Sequence, residues 1–67
     1  MAVARVTKIT ASSTKGFQEA IEEALNRAAK TLRGLTGLEV ISQKAKIEDG
    51  KITEYRTTIE VTFVLED

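Results

Sequence analysis

The sequence of 67 residues predicts an α+β fold in the order β-α-β-β, with a three-stranded sheet wrapped on one helix. The dipeptide Asp49-Gly50 joins two segments of alternating apolar and polar residues, which is the pattern of a hairpin with a type I′ turn. Upstream of it, apolar residues recur at steps of three and four, as they do along one side of an amphipathic helix. The length allows one domain, so residues 1–67 are expected to form a single unit.

A chain of this size has only a marginal core of its own. A domain of about 60 residues buries roughly 60% of the surface that its unfolded chain exposes, and small domains usually gain stability from disulfides, metals or oligomerisation. The sequence has no cysteine and no histidine, which excludes disulfides, thiolate or imidazole zinc sites, and catalysis by either side chain. We therefore expect a protein that is not an enzyme and that completes its core by assembling with copies of itself.

The charge balance argues against other classes of partner. Ten basic and ten acidic residues give a net charge of zero, so nothing favours nonspecific attraction to nucleic acid or to a membrane. No apolar run approaches the length of a transmembrane helix, and the N-terminus lacks the apolar core of a signal peptide. These features predict a cytoplasmic protein.

The segment from Val3 to Ala11 predicts the first strand, because it is rich in β-branched side chains. Val3 and Ile9 lie on one side of such a strand and Val6 on the other, so the alternation is imperfect. This pattern favours a strand with contacts on both faces, at a sheet edge or a subunit contact.

The helix is expected to follow Ser12, Ser13 and Thr14, whose side-chain oxygens can cap its first turn, and to end near Arg33. Gly34 then takes the C′ position, where a left-handed backbone ends many helices. The alanines of the apolar side imply a close approach of helix and sheet. That side consists of Phe17, Ala20, Ile21, Ala24, Leu25, Ala28 and Leu32.

The hairpin predicts the other two strands and their register. With Glu48 opposite Lys51, the pairs are Ile47–Ile52, Lys44–Tyr55, Gln43–Arg56, Val40–Ile59 and Leu38–Val61. Alternation then divides the last strand into two faces. The face expected to bury the helix carries Tyr55, Thr57, Ile59, Val61, Phe63 and Leu65, and the face open to water, a ligand or another chain carries Glu54, Arg56, Thr58, Glu60 and Thr62.

A helical crossover makes the first two strands parallel. The third strand then lies between them and is antiparallel to both, in the order 1-3-2. Both outer strands keep exposed edges, which invite pairing or packing with neighbouring chains.

The predicted register places two carboxylates, Glu39 and Glu60, directly opposite each other. Like charges in this position are destabilising, so a compensating cation is expected. It can be Arg5 or Lys8 of the first strand, a residue of another subunit, or a hard ion such as Ca²⁺ or Mg²⁺. Screening by solvent and by nearby basic side chains is the simpler alternative.

A second candidate is the predicted Gln43–Arg56 pair, with Lys44 and Lys46 nearby. Such a group can bind an anionic ligand, a phosphate or a nucleotide tail. The alternative is an ordinary solvated sheet face or an ion pair between subunits.

Several stretches of the sequence resemble the dodecin family over nearly the whole chain. The dipeptides Glu39-Val40 and Glu54-Tyr55 open its second and third strands. The other matching stretches are Ala11-Ser12-Ser13, Ala20-Ile21, Leu25-Asn26-Arg27-Ala28, Lys30-Thr31-Leu32-Arg33-Gly34-Leu35 and Val61-Thr62-Phe63-Val64-Leu65. The resemblance implies assembly into a hollow dodecamer, and a flavin storage or buffering role in many members.

The resemblance also implies where a flavin would bind and where this chain departs from the pattern. Flavin-binding members have a tryptophan that stacks on the isoalloxazine and a glutamine that hydrogen-bonds its pyrimidine edge. Gly37 takes the tryptophan position and Arg56 the glutamine position. Other members lack the tryptophan and hold metal ions or other ligands.

Two hypotheses follow for function. In the first, a homododecamer binds and stores a small ligand, such as FMN, riboflavin or FAD in an altered site formed by Gly37, Arg56 and Gln43. In the second, the dodecamer is an ion-binding or structural shell without flavin, with calcium or magnesium at Glu39 and Glu60. A small dimeric or trimeric interaction module is a third option.

Overall fold

The computed structural model describes residues 3–65 and has the predicted order of elements. They are β1 (Val3–Ser13), α1 (Phe17–Thr31), β2 (Leu35–Glu48) and β3 (Lys51–Leu65). β3 lies between β1 and β2 and is antiparallel to both, so the sheet order is β1-β3-β2. The predicted fold class and the central position of β3 are confirmed. Within residues 3–65, no helix is long and apolar enough to cross a membrane.

The core lies where α1 crosses the middle of β3. Three alanines spaced by four residues, Ala20, Ala24 and Ala28, are the buried residues of the helix. The middle one, Ala24, packs with Ile59 and Val61, which are completely buried. Because alanine has no side chain beyond Cβ, the helix axis can come close to the sheet. The predicted close approach therefore rests on these three residues.

The predicted apolar side of the helix is wider than the side that the sheet covers. Leu25 keeps 38% of its surface exposed, because it lies one position around the helix from Ala24 and the sheet is only three strands wide. Phe17 and Phe63, expected in the core, are only half-buried. Phe17 packs edge-to-face on Tyr55, with ring centroids 5.1 Å apart.

The start of the helix differs from the prediction. Ser12 and Ser13 belong to β1, which runs two residues further than expected, and the N-cap residue is Gly16, without a side-chain cap. The Ser13 hydroxyl instead accepts a hydrogen bond from the backbone N–H of Lys15 at 2.9 Å. Such a short polar side chain stabilises the turn between strand and helix as readily as it caps a helix.

Gly34 has the expected left-handed backbone, with φ at +75°, but for a different reason. The helix ends at Thr31 and Leu32 is its C-cap, so Gly34 lies beyond the C′ position. Its carbonyl accepts a hydrogen bond from the N–H of Val64 at 3.0 Å. The glycine therefore positions the start of β2 against the end of β3.

The hairpin turn is as predicted, since Asp49 and Gly50 both have positive φ, 52° and 74°. The pairs at the two ends of the predicted register also hold: Glu48–Lys51, Ile47–Ile52, Val40–Ile59 and Leu38–Val61. The middle of the register is wrong by one residue. Irregularities lie between Lys46 and Ile47 and between Val40 and Ser42, and between them Lys44 pairs with Arg56, Ala45 with Tyr55 and Gln43 with Thr57.

The hairpin extends well beyond the helix. The helix of 15 residues spans about 22 Å, whereas the molecule is 52 Å long. Near the turn, Ile47 and Ile52 face each other and remain 65% and 49% exposed. In the single subunit, this end of the hairpin therefore has no helix packed against it.

Candidate functional site

The side of the sheet turned away from the helix carries the polar residues and is called the outer face here. It includes the five β3 residues predicted for it, with Glu54, Thr58, Glu60 and Thr62 half-buried and Arg56 exposed. β1 and β2 flank them through antiparallel pairing, which sets rows of three side chains across the sheet. The candidate site residues lie in neighbouring rows of this face.

One row consists of Lys8, Glu60 and Glu39. Glu39 and Glu60 are directly opposite each other, as predicted, and Lys8 is opposite Glu60 on the other side. Lys8 is thus one of the two basic residues named from the sequence as a compensating charge. Within residues 3–65, no group of three or more carboxylates comes together in a way that would hold a metal ion.

The next row ties β1 to β3 through a pair of threonines. The hydroxyls of Thr10 and Thr58 are 2.8 Å apart and share a hydrogen bond, and Ser42 pairs with Thr58 on the β2 side. This uncharged row separates the carboxylates from the basic residues described below.

Gly37 lies opposite Thr62 on the outer face. A Cβ atom built on it would meet no other atom within 4 Å, apart from its chain neighbours, and its φ lies outside the left-handed region. The position can therefore accept a side chain without strain from the rest of the subunit. The glycine leaves open space where the family resemblance places a tryptophan.

The structure brings Arg56 together with Lys44 rather than with Gln43. Since the middle of the register is shifted, Gln43 pairs with Thr57, and alternation sends its side chain to the helix side of the sheet. Gln43 and Arg56 are therefore on opposite faces, and the predicted opposition of the two is wrong. Lys44, expected on the helix side, lies on the outer face.

Lys44, Lys46 and Arg56 line one shallow depression with Ala45, which we call the cationic depression. Its volume is about 340 Å³. Two acidic residues offset part of its charge. The Arg56 guanidinium is paired with Glu54, and the Lys46 ammonium lies 3.7 Å from a carboxylate oxygen of Glu48.

The sequence analysis named Lys44 as a neighbour of Arg56 but placed its side chain on the helix side of the sheet. Its place depends on the irregularity between Lys46 and Ile47, which leaves Thr53 without a pairing partner. The irregularity between Val40 and Ser42 leaves Ile41 unpaired and restores the predicted register. Neither residue is a glycine, the usual sequence signal of a bulge. Without such a signal the sequence predicts uninterrupted alternation, which places the Lys44 side chain on the helix side instead of the outer face.

The fold and its outer face define a class of small subunit in which one helix covers one side of a sheet and charged residues occupy the other. The dodecin family model matches residues 3–66. A dodecin from Thermus thermophilus is 37% identical over 65 residues, which cover 97% of this chain and 94% of that protein. The chain belongs to the dodecin family, whose members are small ligand-binding homododecamers with flavin binding as a family property.

Solved structures agree with this assignment. The crystal structure of a tryptophan-to-phenylalanine variant of the Thermus thermophilus dodecin superposes with a TM-score of 0.94 at 36% identity, and the match covers 100% of both chains. The present chain contains no tryptophan. A calcium-chelating dodecin from Mycobacterium tuberculosis, described with a calcium-binding site, gives a TM-score of 0.82 at 31% identity over 96% of this chain and 91% of that one.

Proposed function

We propose that this chain forms a homododecamer that binds and stores a small ligand in an altered dodecin site at Gly37 and Arg56. The observation that carries the proposal is family membership over residues 3–66, together with the position of both residues on the outer face. In this proposal residues 1–67 are one dodecin-like domain of a cytoplasmic protein without enzymatic activity.

The altered site changes how a flavin such as FMN, riboflavin or FAD would be held. Stacking of a ring on an aromatic side chain contributes roughly 1–3 kcal/mol, and Gly37 supplies none of it. The planar guanidinium of Arg56 can stack on a ring or pair with a phosphate. Binding in this chain therefore depends more on charge than on ring stacking.

The alternative is a dodecameric shell that binds calcium or magnesium, or serves a structural role, without flavin. It is supported by the direct opposition of Glu39 and Glu60 and by the similarity to a calcium-chelating dodecin. Hard cations prefer such carboxylate oxygens. Within residues 3–65 these two carboxylates are not joined by a third ligand, so further ligands from neighbouring subunits would be required.

Native mass spectrometry of the protein as purified, without added ligand, tests the proposal. A mass of twelve chains with flavin increments is the expected result. Twelve chains with metal adducts only would favour the ion-binding shell. A dimer or trimer would overturn the assembly, and most of the functional proposal with it.

Restoring an aromatic ring tests the role assigned to Gly37. We expect Gly37→Trp to bind riboflavin more tightly by roughly five- to a hundredfold, the equivalent of one stacking contact. Titration of flavin fluorescence against protein measures the change. The backbone at Gly37 is outside the left-handed region and an added Cβ atom meets nothing within 4 Å, so the substitution introduces no strain at the backbone.

Gln43→Trp is the matched control, since it places the same ring on the same strand but on the helix side. It should leave riboflavin affinity unchanged. A Gly37→Trp protein of full dodecamer mass with no gain in affinity would show that the missing ring is not what limits flavin binding.

A further inference from the structure

The hairpin turn carries a chemically reactive pair of residues that the proposed function does not use. Asp49 and Gly50 are both exposed, and both have a left-handed backbone, with φ of 52° and 74°. They connect Glu48 and Lys51, which close the hairpin by pairing with each other. In this exposed turn, the side-chain carboxyl group of Asp49 therefore lies next to a backbone nitrogen that has no side chain beside it.

The backbone nitrogen of Gly50 is accessible in this turn. In a two-residue hairpin turn the closing hydrogen bond belongs to the flanking residues, and within residues 3–65 no backbone carbonyl accepts a hydrogen bond from the N–H of Gly50. A Cβ atom built on Gly50 would meet no other atom within 4 Å, apart from its chain neighbours. Neither a backbone hydrogen bond nor a packed side chain therefore blocks the approach of this nitrogen to the Asp49 carboxyl group.

We infer that Asp49 is a site of covalent modification, at which aspartate isomerises to isoaspartate without an enzyme. The Gly50 nitrogen attacks the side-chain carboxyl carbon of Asp49, so that a C–N bond forms and a C–O bond breaks. The carboxyl oxygen leaves as water with the amide proton, and a five-membered succinimide ring results. Water then opens the ring at the main-chain carbonyl carbon, and the nitrogen stays bonded to the former side chain. Water is the only co-reactant, and the mass of the chain is unchanged.

Ring closure requires the Asp49 backbone to rotate out of the turn conformation, and the surroundings of the turn allow this movement. The hairpin end extends beyond the helix, and its apolar pair, Ile47 and Ile52, remains exposed in the subunit. Segments with few buried contacts open locally at a low free-energy cost. Asn26, the one asparagine of the chain, undergoes the related deamidation, but it lies within α1, where backbone hydrogen bonds restrict that rotation.

The modification would change the hairpin itself. Isoaspartate lengthens the main chain by one carbon atom and leaves the carboxylate on the α-carbon side. The two-residue turn depends on the dihedral angles of two ordinary residues, so the closing pair Glu48–Lys51 would lose its register. This inference goes beyond ligand storage, since it requires no ligand, and it predicts a slow covalent change at the end of the hairpin.

The experiment is incubation of the folded, full-length protein at neutral pH and raised temperature in water enriched in oxygen-18. Peptide mass spectrometry with electron-transfer fragmentation distinguishes isoaspartate from aspartate. We expect isoaspartate at Asp49 to increase with time and to carry one solvent oxygen, while Asn26 stays unmodified. Gly50→Asn is the matched variant, because asparagine tolerates a left-handed backbone but its side chain hinders the nitrogen. It should lose most of the isoaspartate signal at Asp49.

Two results would overturn the inference. The first is a folded protein that forms no isoaspartate at Asp49, whether or not the chain unfolded in urea forms it, because the turn would then protect the residue. The second is equal isoaspartate in the unaltered protein and in Gly50→Asn, because access to the Gly50 nitrogen would then not control the reaction. Either result leaves the proposed ligand storage untouched, since that proposal depends on other residues.

Discussion

Thr57 places a hydroxyl group in the core without a hydrogen-bond partner. Its side chain is completely buried on the helix side of β3, and within residues 3–65 no donor or acceptor reaches its Oγ1 atom. Burying an unpaired hydroxyl costs about 1–3 kcal/mol. Thr57→Val keeps the shape of the side chain, so we expect it to raise the free energy of unfolding by about 1 kcal/mol, measured from denaturant unfolding at fixed protein concentration.

Thr58 provides a matched control at the next position of the same strand. Its hydroxyl shares a hydrogen bond with Thr10 on the outer face, so Thr58→Val should destabilise the protein by about 1 kcal/mol. The same threonine-to-valine change is thus expected to raise the free energy of unfolding at Thr57 and to lower it at Thr58. If both substitutions lower the unfolding midpoint equally, the hydroxyl of Thr57 contributes to the core and the argument is wrong.

The residues of the candidate site were identified from the sequence with uneven success. Glu39 and Glu60 lie where the hairpin turn places them, because two register shifts of opposite sense cancel between the turn and that pair. Gln43 lies between the two shifts, so the turn-based register predicted the wrong face of the sheet for it. A pairing derived from a turn is therefore reliable only where the strand is regular or where its irregularities compensate.

At the scale of the elements, the prediction was most accurate where one strong local signal acts. Positive φ at Asp49 and Gly50 is a steric requirement of the turn, and the residue types reveal it directly. The helix ends were less predictable, since short hydroxyl side chains serve strand ends, turns and caps alike. The irregularities of the hairpin had no sequence signal, since neither unpaired residue, Ile41 or Thr53, is a glycine.

Gly34 lies in the connection between α1 and β2, and its substitution should lower the stability of the fold. A Cβ atom there would lie 2.9 Å from the carbonyl oxygen of Val64, and the φ of +75° already disfavours other residues. We expect Gly34→Ala to lower the free energy of unfolding by about 1–3 kcal/mol, through backbone strain and the displaced strand. Thermal unfolding followed by circular dichroism measures the loss.

Gly37→Ala is the control for this prediction, because the same methyl group would meet nothing within 4 Å on an unstrained backbone. It should be neutral or stabilising by a few tenths of a kcal/mol, through the lower entropy of the unfolded chain. Equal losses from the two substitutions would indicate that the joint at Gly34 tolerates movement and does not fix the start of β2.

At the scale of the whole molecule, the single subunit buries few hydrophobic side chains and leaves many large ones exposed. Among residues 3–65, five hydrophobic residues are buried, three of them alanines. The exposed large hydrophobic residues include four on β2, namely Leu38, Val40, Ile41 and Ile47. Apolar surface of this extent is typical of protein–protein contacts, so the subunit is expected to depend on assembly for its stability.

Val40 is the residue through which this dependence can be tested. It pairs with the core residue Ile59 yet keeps 41% of its surface exposed, at the outer edge of the sheet. Val40→Lys puts a charge there that is costly to bury without a partner. We expect native mass spectrometry to show mainly species smaller than the dodecamer, with a melting temperature that rises with protein concentration, because association stabilises the folded chain.

Gln43→Lys provides the comparison, since it introduces the same charge on the same strand and the same side of the sheet, at a position that is already polar and exposed. It should leave the assembly mass unchanged. A Val40→Lys protein that keeps the full mass and melts at the unaltered temperature would place the subunit contacts elsewhere. The long hairpin end around Ile47 and Ile52, the most exposed apolar pair of β2 and β3, would then be the surface to substitute next.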